Sequence, residues 1–383
     1  MEHNHKHDHQ GHSHDPGHSH DPGHSHDPSH SHDHSHTKHL HSNDTMGRMH
    51  EHIHKDDKEG PSNKGPKVPV TVIGGFLGSG KTTHVNHLIK ASNDTRVDVI
   101  VREFGSISID DMLVHLPKER VHVFPGVSMH HDPQLMLYGF LDNLYERYGK
   151  TFDSVLMESS GLDKPEDLVQ LFFLGDVAKN YRLGSYIAIV SADYGSLDLD
   201  EYRIAREQAA LADVVIINKT DLADEAEVDK LEERIRGMNM MAKIIRASFG
   251  ETDPREVTDI SLSDQLEGVY QRVKEGRRAF GMDDIRTIAL TETRPMDKEK
   301  VNAWLQSLFM KDGTKMLRSK GFFSFQGFDD RFEFQAVRKT FHSKADRKWD
   351  DGEERKSVVV VIGEGLPEEK ELQASFSECA YRE

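Results

Sequence analysis

The pattern of apolar and polar residues predicts two folded regions. From Val68 to about Gly250, short β-branched apolar runs alternate with segments whose apolar residues recur at helical spacing. This alternation is typical of a mostly parallel sheet covered by helices on both faces, so we predict an α/β fold for residues 66–250. The predicted strands are 68–73, 97–102, 121–124, 154–157, 186–191 and 214–217, and the predicted helices are 84–90, 133–148, 201–211 and 225–238.

The pattern changes after a polar segment, residues 251–286, which is predicted to be a helix plus linker. Residues 287–383 combine strand-like runs with two helical segments, which predicts a small α+β C-terminal domain. The strands are expected at 287–290, 322–325, 332–337 and 357–362, and the helices at 298–309 and 367–376. Residues 1–65 carry almost nothing apolar to bury, so they are predicted to form a disordered N-terminal tail.

The first predicted strand runs into a glycine-rich loop that precedes the first helix. Its residues fill the pattern G-x-x-x-x-G-K-[ST] of a phosphate-binding loop, or P-loop. Lys81 is predicted to reach the β- and γ-phosphates, and the Thr82 hydroxyl to ligate Mg²⁺. The helix N-terminus adds partial positive charge, so the chain is predicted to bind a nucleoside triphosphate. The predicted nucleotide-binding residues of this loop are Gly75, Gly78, Ser79, Gly80, Lys81, Thr82 and Thr83.

A second strand end carries a carboxylate suited to the same chemistry. Glu158 follows the apolar strand 154–157 and is predicted to hold Mg²⁺ or its waters near the γ-phosphate. Gly161 is placed to donate its backbone N–H to that phosphate and to sense its loss. The alternative interpretation is that Glu158 is a solvated glutamate of a loop and does not bind a metal. Lys81, Thr82 and Glu158 are therefore the predicted catalytic residues.

A third strand end indicates which base is bound. Asn218, Lys219 and Asp221 follow the strand 214–217 as an Asn-Lys-x-Asp set. Such an aspartate would accept hydrogen bonds from N1–H and the exocyclic amine of guanine, while the asparagine braces the loop. GTP is therefore predicted rather than ATP. No residue is an obvious water-activating base, so intrinsic hydrolysis is predicted to be slow.

Composition excludes several classes of protein. Lys and Arg number 49 against 66 Asp and Glu, and the formal charge of −17 argues against nucleic acid as a main partner. The single cysteine, Cys379, excludes an intramolecular disulfide and a cysteine-based zinc cluster. No apolar run reaches the roughly 20 residues of a membrane helix, and the N-terminus lacks the apolar segment of a signal peptide. We expect a cytoplasmic protein without membrane contact.

Histidine is concentrated in the tail. The unit Gly-His-Ser-His-Asp-Pro recurs at Gly11, Gly17 and Gly23, among further His-x-His pairs. Neutral imidazoles suit Zn²⁺, Ni²⁺, Co²⁺ and Cu²⁺, so multi-site metal binding is predicted, with a purification tag or a plain linker as alternatives. The tail ligands are represented by His12, His14, His18, His20, His24 and His26.

Together these motifs resemble the CobW-type GTPases, a metallochaperone branch of the P-loop proteins. The resemblance implies metal-linked hydrolysis of GTP to GDP, with delivery of zinc, nickel, cobalt or iron to a client metalloprotein or a cofactor-assembly enzyme. It also implies that Glu103 and Asp110 lie near Mg²⁺ and the switch region. It rests on Gly74–Thr83, Arg102–Asp110, Glu158–Pro165 and Asn218–Asp221, with Arg318–Phe325 and Val358–Leu366 resembling the family's C-terminal domain.

One motif departs from the family pattern. Where the family usually carries Asn-Gly-Cys-x-Cys-Cys, residues 125–130 read Pro-Gly-Val-Ser-Met-His and offer no thiolate. Three interpretations stay open. Glu103, His130 and His131 form a modified transition-metal site, or the tail alone carries the metal, or the cargo prefers N/O ligands, as Ni²⁺ and Co²⁺ do. The tail also resembles that of nickel-insertion GTPases. Spacing alone equally favours a plain polar loop in which Asp132 caps the following helix.

The leading hypothesis is a GTPase whose nucleotide state controls metal transfer to a client. A homodimer or the client would complete the catalytic site. The alternative is a metal-storage protein, in which the His-rich tail is the active part and the GTP-binding domain is only a binding module.

Overall fold

The computed structural model describes residues 66–92, 96–103, 120–125, 132–149, 151–275, 284–312 and 315–382, all within one structural unit, Pro61–Glu383. The first region contains strands β1 Val68–Gly75, β2 Val97–Glu103, β3 Val121–Pro125, β4 Ser154–Glu158, β5 Tyr181–Ser191, β6 Val214–Asn218 and β7 Lys243–Arg246. Within the described residues they form one sheet in the order β3-β2-β4-β1-β5-β6-β7, with every neighbouring pair parallel. The α/β prediction is confirmed.

Helices cover both faces of this sheet. Side chains of β1 enter two separate cores, Val70 and Val72 on one face and Ile73 on the other, where Ile73 joins Val85 and Leu88. Burial on both faces explains why the strands are continuous apolar runs in the sequence. The helices are α1 Lys81–Ala91, α2 Pro133–Tyr148, α3 Pro165–Gln170, α4 Gly175–Asn180, α5 Gly195–Glu201, α6 Arg203–Leu211 and α7 Glu225–Met238, with short 3₁₀ turns at Leu171–Phe173 and Thr220–Leu222.

The structure differs from the predicted pattern between β5 and β6. The helix expected at 201–211 begins at Arg203 as α6, and Tyr202, in an extended conformation, separates it from α5, which was not predicted. The Tyr202 ring stacks on Phe76 of the P-loop at a centroid distance of 4.5 Å, and this tertiary contact favours the break. The short strand β7 was not predicted, because its four residues are partly or fully exposed and its apolar pattern is weak.

The second region is antiparallel. Its strands are β8 Ile285–Glu292, β9 Met316–Ser324, β10 Asp330–Val337, β11 Thr340–Lys348 and β12 Ser357–Glu364, in the order β11-β10-β9-β12-β8. Helices α10 Lys298–Asp312 and α11 Glu369–Glu378 accompany them. Strand β11 was missed from the sequence because it lies at the sheet edge and is largely exposed and charged. Between the regions, α8 Pro254–Val257 is followed by α9 Leu262–Lys274, which packs against β8, β9 and β12.

A buried charge cluster joins the two sheets. Asp213, just before β6, forms ion pairs with Arg318 and Lys320 of β9, and all three side chains are almost fully buried. Asp213 Oδ2 also accepts a hydrogen bond from the Tyr186 backbone N–H at 2.8 Å, and Lys320 Nζ donates to Gln265 Oε1 at 2.9 Å. The cluster therefore connects β5, β6, α9 and β9 in one network.

In the described part of the chain, no helix combines the length and the apolar character needed to cross a bilayer.

Candidate functional site: a nucleotide site at the strand ends

The glycine-rich loop connects β1 to α1, and two of its glycines are required by close contacts. Gly80 has φ +105°, and a Cβ there would lie 2.3 Å from Asn218 Nδ2. Gly75 has φ +138°, and a Cβ there would lie 2.4 Å from the Ile189 carbonyl oxygen. Side chains at these positions would push the loop away from β5 and from the end of β6. The positive φ angles and these close contacts explain why both positions of the predicted phosphate-binding loop are glycine.

The remaining loop residues are consistent with a bound anion. Ser79 is 1% exposed, and its hydroxyl has no hydrogen-bond partner among the described residues. Gly78 also has positive φ, and a Cβ there would meet no atom within 4 Å. Thr83, in the first turn of α1, is exposed. A buried hydroxyl without a partner beside an open cradle fits a phosphate group that supplies the missing acceptor.

Lys81, Thr82 and Glu158 lie together at the start of α1. Lys81 Nζ donates to the carbonyl oxygens of Gly75 (2.9 Å) and Phe76 (3.0 Å), so the amine lies over the loop. Burial lowers the pKa of Lys81, although Glu158 and Asp163 oppose that effect. Thr82 Oγ1 donates to Glu158 Oε1 at 2.6 Å, and Glu158 is the buried last residue of β4. A hydroxyl and a carboxylate are oxygen ligands of the kind that Mg²⁺ prefers, so the donor set fits this ion.

The loop that follows β4 lies against the P-loop. A Cβ at Gly161 would be 2.7 Å from the Leu77 side chain and 3.0 Å from the Leu77 backbone nitrogen. Gln208 of α6 donates from Nε2 to the Gly161 carbonyl oxygen at 3.1 Å. The predicted γ-phosphate loop is therefore adjacent to the P-loop and is held from behind by α6.

The Asn218 side chain connects the third strand end to the P-loop. Its Nδ2 donates to the Ser79 carbonyl oxygen at 2.9 Å, and its Oδ1 accepts from the Gly250 backbone N–H at 2.9 Å. Lys219 adopts the left-handed conformation with φ 62°, and Asp221 lies exposed in the 3₁₀ turn that follows. The residues predicted to recognise guanine thus lie beside the residues predicted to bind phosphate.

Sequence reasoning missed a further part of this site, the segment 247–252 after β7. Besides its bond to Asn218, the segment accepts a hydrogen bond from the Thr220 N–H at the Ala247 carbonyl oxygen, 3.2 Å away. His84 of α1 contacts the Gly250 carbonyl oxygen through Nδ1 at 2.7 Å. Burial lowers the pKa of His84 to about 4, so the ring is neutral and carries its proton on Nδ1. The available signal was the turn Ser-Phe-Gly directly after a short apolar run.

Several predicted site residues lie outside the described residues. They are Asp110, His130, His131 and the tail histidines, and although the backbone of Glu103 ends β2, its side chain is also outside. Asp132 is described, and it caps α2 by accepting from the Gln134 N–H at 2.9 Å. Within the described ranges, no group of three or more His, Cys, Asp or Glu residues is arranged to hold a metal ion. The internal transition-metal site stays a prediction.

Two known family models match this chain, one in the region of each sheet. The family model described as "CobW/HypB/UreG, nucleotide-binding domain" matches residues 69–246, and that of the "Cobalamin synthesis protein cobW C-terminal domain" matches residues 285–380. The zinc chaperone YjiA of Escherichia coli is 30% identical over 318 residues, covering 81% of this chain and 98% of the relative. The zinc chaperone CobW of Pseudomonas aeruginosa is 26% identical over 348 residues, covering 82% and 92%.

A solved structure is also similar. The crystal structure of Zn(II)-bound YjiA GTPase from E. coli has a TM-score of 0.62 and 26% sequence identity. The match covers 83% of this chain and 100% of that chain.

Proposed function

Because this chain belongs to the CobW/HypB/UreG family and carries a CobW C-terminal domain, we propose that it is a GTPase that binds zinc and delivers it to a client protein. Two relatives that align over more than nine-tenths of their own length are named zinc chaperones, which favours zinc over the nickel and cobalt that the sequence left open. Names of this kind give no support to the storage hypothesis.

The observation that carries the nucleotide part of the proposal is the position of Asn218. One side-chain amide bonds both the P-loop, at Ser79, and the segment after β7, at Gly250. This bridge joins the predicted phosphate-binding part of the site to the predicted guanine-recognising part, and GTP would span the two. Asp221, exposed and three residues beyond Asn218, would accept the two guanine N–H groups.

The described residues supply groups that would bind GTP and Mg²⁺, but they supply little for activation of the attacking water. Lys81 would stabilise negative charge on the β- and γ-phosphates, and Thr82 with Glu158 would hold Mg²⁺, which when bound neutralises the same charge. Leu162, directly after Gly161, is 57% exposed and apolar, so it cannot orient an attacking water. We therefore expect intrinsic hydrolysis to be slow if the described residues alone surround the attacking water, and to rise when a partner or a second copy adds a polar group there.

The proposal is tested by metal titration of the full chain with its tail histidines replaced by serine, so that the tail cannot mask another site. Zn²⁺, Ni²⁺ and Co²⁺ are titrated with Mg²⁺ present, in GDP and in a non-hydrolysable GTP analogue. We expect Zn²⁺ affinity to differ between the nucleotides by about 5- to 150-fold, the usual range for coupled sites. A larger difference between the nucleotides for Ni²⁺ or Co²⁺ than for Zn²⁺ would assign that metal as the cargo. If the affinity for each of the three metals is the same in GDP and in the analogue, the carrier proposal is overturned.

Replacing Asp221 with Asn tests the base. We expect GTP affinity to fall about 10- to 150-fold, because a hydrogen bond to a charged group contributes about 1.5–3 kcal/mol. Xanthosine triphosphate, whose C2 oxygen accepts a hydrogen bond from the new amide, should bind better to the variant than to the wild type. Competition against a fluorescent guanine nucleotide measures both affinities.

The matched control is Asp224→Asn, since Asp224 is also exposed and close in sequence but caps no helix with its side chain. An Asp221→Asn variant with unchanged preference for GTP would show that guanine is recognised elsewhere.

A further inference from the structure

A buried ion pair links β2 to the loop after β4. Arg102, next to the last residue of β2, places Nη2 3.4 Å from Asp163 Oδ1, and the two side chains are only 8% and 9% exposed. The Arg102 guanidinium carbon also lies 5.4 Å from the centre of the Phe124 ring of β3. The arginine is thus fixed by the sheet, and its charged end meets the loop that begins at Glu158.

Asp163 shapes the loop with its other oxygen. Oδ2 accepts from the Ser160 backbone N–H at 2.8 Å, and the Asp163 backbone N–H donates back to the Ser160 carbonyl oxygen at 3.2 Å. Gln208 of α6 contacts the same turn by donating to the carbonyl oxygens of Gly161 (3.1 Å) and Asp163 (3.4 Å). The Asp163 carboxylate and the Gln208 amide therefore both hold the backbone from Ser160 to Asp163. This segment contains Gly161, whose backbone N–H is predicted to donate a hydrogen bond to the γ-phosphate.

A buried pair of this kind contributes little to net stability, because removing two charges from water costs about as much as their attraction returns. Its cost is visible here, since burial lowers the pKa of Arg102 and raises the pKa of Asp163, with each partner opposing the other's shift. Asp163 also attracts the buried amine of Lys81. The pair lies at the end of the sheet where the P-loop lies, and its contacts fix the geometry of the loop after β4.

We propose that Arg102 and Asp163 are positioning residues for the γ-phosphate, holding the Ser160–Gly161 backbone where it distinguishes GTP from GDP. The inference rests on the proposed GTP-binding function and goes beyond it, because it assigns the discrimination between the two nucleotides to an ion pair that touches neither. Since Arg102 belongs to β2, the pair also connects the conformation of that strand to the nucleotide loop.

The chain offers a matched control for this pair. Arg96, one residue before β2, pairs with Asp153, one residue before β4, at 3.2 Å. These two side chains are 60% and 51% exposed and lie at the opposite ends of the same two strands. Arg96→Gln and Asp153→Asn therefore remove an ion pair between the same elements without approaching the P-loop.

The test measures the affinity of the full chain for GDP and for a non-hydrolysable GTP analogue, together with kcat and KM for GTP. Arg102→Gln and Asp163→Asn are each expected to weaken analogue binding about tenfold, in the range of a lost positioning contact, while GDP affinity changes little. Arg102→Lys should restore part of the loss. The double variant should be no worse than either single one, because both remove the same link. The Arg96 and Asp153 variants should match the wild type.

Equal losses for GDP and the analogue, in step with a lower unfolding midpoint, would overturn the proposal and leave a structural role. If Asp163→Asn does not fold, Asp163→Glu keeps the charge and displaces the carboxylate by one methylene, and it must still weaken the analogue selectively. If the wild type binds no guanine nucleotide, the proposed function itself fails, which is a distinguishable result.

Discussion

Replacing Lys81 with Ala is expected to lower kcat for GTP hydrolysis by about 10²- to 10³-fold, the usual loss when one preorganised donor to a developing charge is removed. Lys81 Nζ donates hydrogen bonds to the carbonyl oxygens of Gly75 and Phe76, and both residues belong to the P-loop. Its amine is therefore available to turn towards the phosphates when a nucleotide binds. Phosphate release under saturating GTP measures the effect.

The fold should survive this substitution. Burial already disfavours the charged amine of Lys81, so its removal relieves a desolvation cost while losing two hydrogen bonds to backbone oxygens. Lys179→Ala is the control, since that lysine is 74% exposed and pairs with Asp176 on the surface. A Lys81→Ala variant that hydrolyses GTP at close to the wild-type rate would show that the glycine-rich loop is not the catalytic phosphate site.

Replacing Asp213 with Asn is expected to lower the free energy of unfolding by about 3–5 kcal/mol, because it leaves the buried charges of Arg318 and Lys320 without their carboxylate. The loss should be the largest for any ion pair named above, since this cluster joins β9 to the residue before β6 through three almost fully buried side chains. Urea denaturation followed by circular dichroism measures it.

The control for Asp213 is Asp259→Asn. Asp259 pairs with Arg182, but both side chains are about half exposed, so the expected change is below about 1 kcal/mol. An Asp213 variant no less stable than this control would mean that solvent or rearrangement compensates the two cations.

The cluster of Asp213, Arg318 and Lys320 also predicts that the free energy of unfolding depends on pH. Burial raises the pKa of Asp213, but Arg318 and Lys320 outweigh it and hold the value at about 2. Because this is below the unfolded value of about 3.9, the contribution of Asp213 is present above that pH and is lost as the pH falls towards 2. Burial and then repulsion by Arg318 lower the pKa of Lys320 to about 8, although Asp213 opposes them.

The pKa of Lys320 is also lowered, so its effect on stability has the same sign as that of Asp213 but falls in an alkaline pH window. Between about pH 8 and pH 10.4 the unfolded chain holds the lysine proton and the folded chain does not, so stability rises with pH across this window. Burial of the amine and its repulsion by Arg318 favour loss of the lysine proton, and because one carboxylate faces two cations, this loss leaves the cluster neutral. Lys320→Met should abolish the rise, whereas the same rise in that variant would assign it to another group.

Local patterns in the sequence determined the α/β fold and indicated the residues of a predicted nucleotide site. Strands buried on both faces are continuous apolar runs, and helices α2 and α7 begin and end where their spacing predicted. Because the carboxyl ends of parallel strands meet at one edge, residues at the ends of β1, β4 and β6 had to lie together. The proximity of Lys81, Thr82 and Glu158 could therefore be predicted before their distances were known.

Only the tertiary structure decided which side chains support that site. The partners Asn218 and Gly250, Arg102 and Asp163, and Asp213 and Lys320 are far apart in the chain, and no periodicity records their contact. Strands β7 and β11 were missed for a related reason. Both are edge strands with many exposed side chains, and their backbone conformation comes from pairing with a neighbour rather than from their own apolar pattern. Local sequence patterns thus determine which residues are buried and which residues carry reactive groups. Contacts between residues far apart in the chain determine how those groups are held.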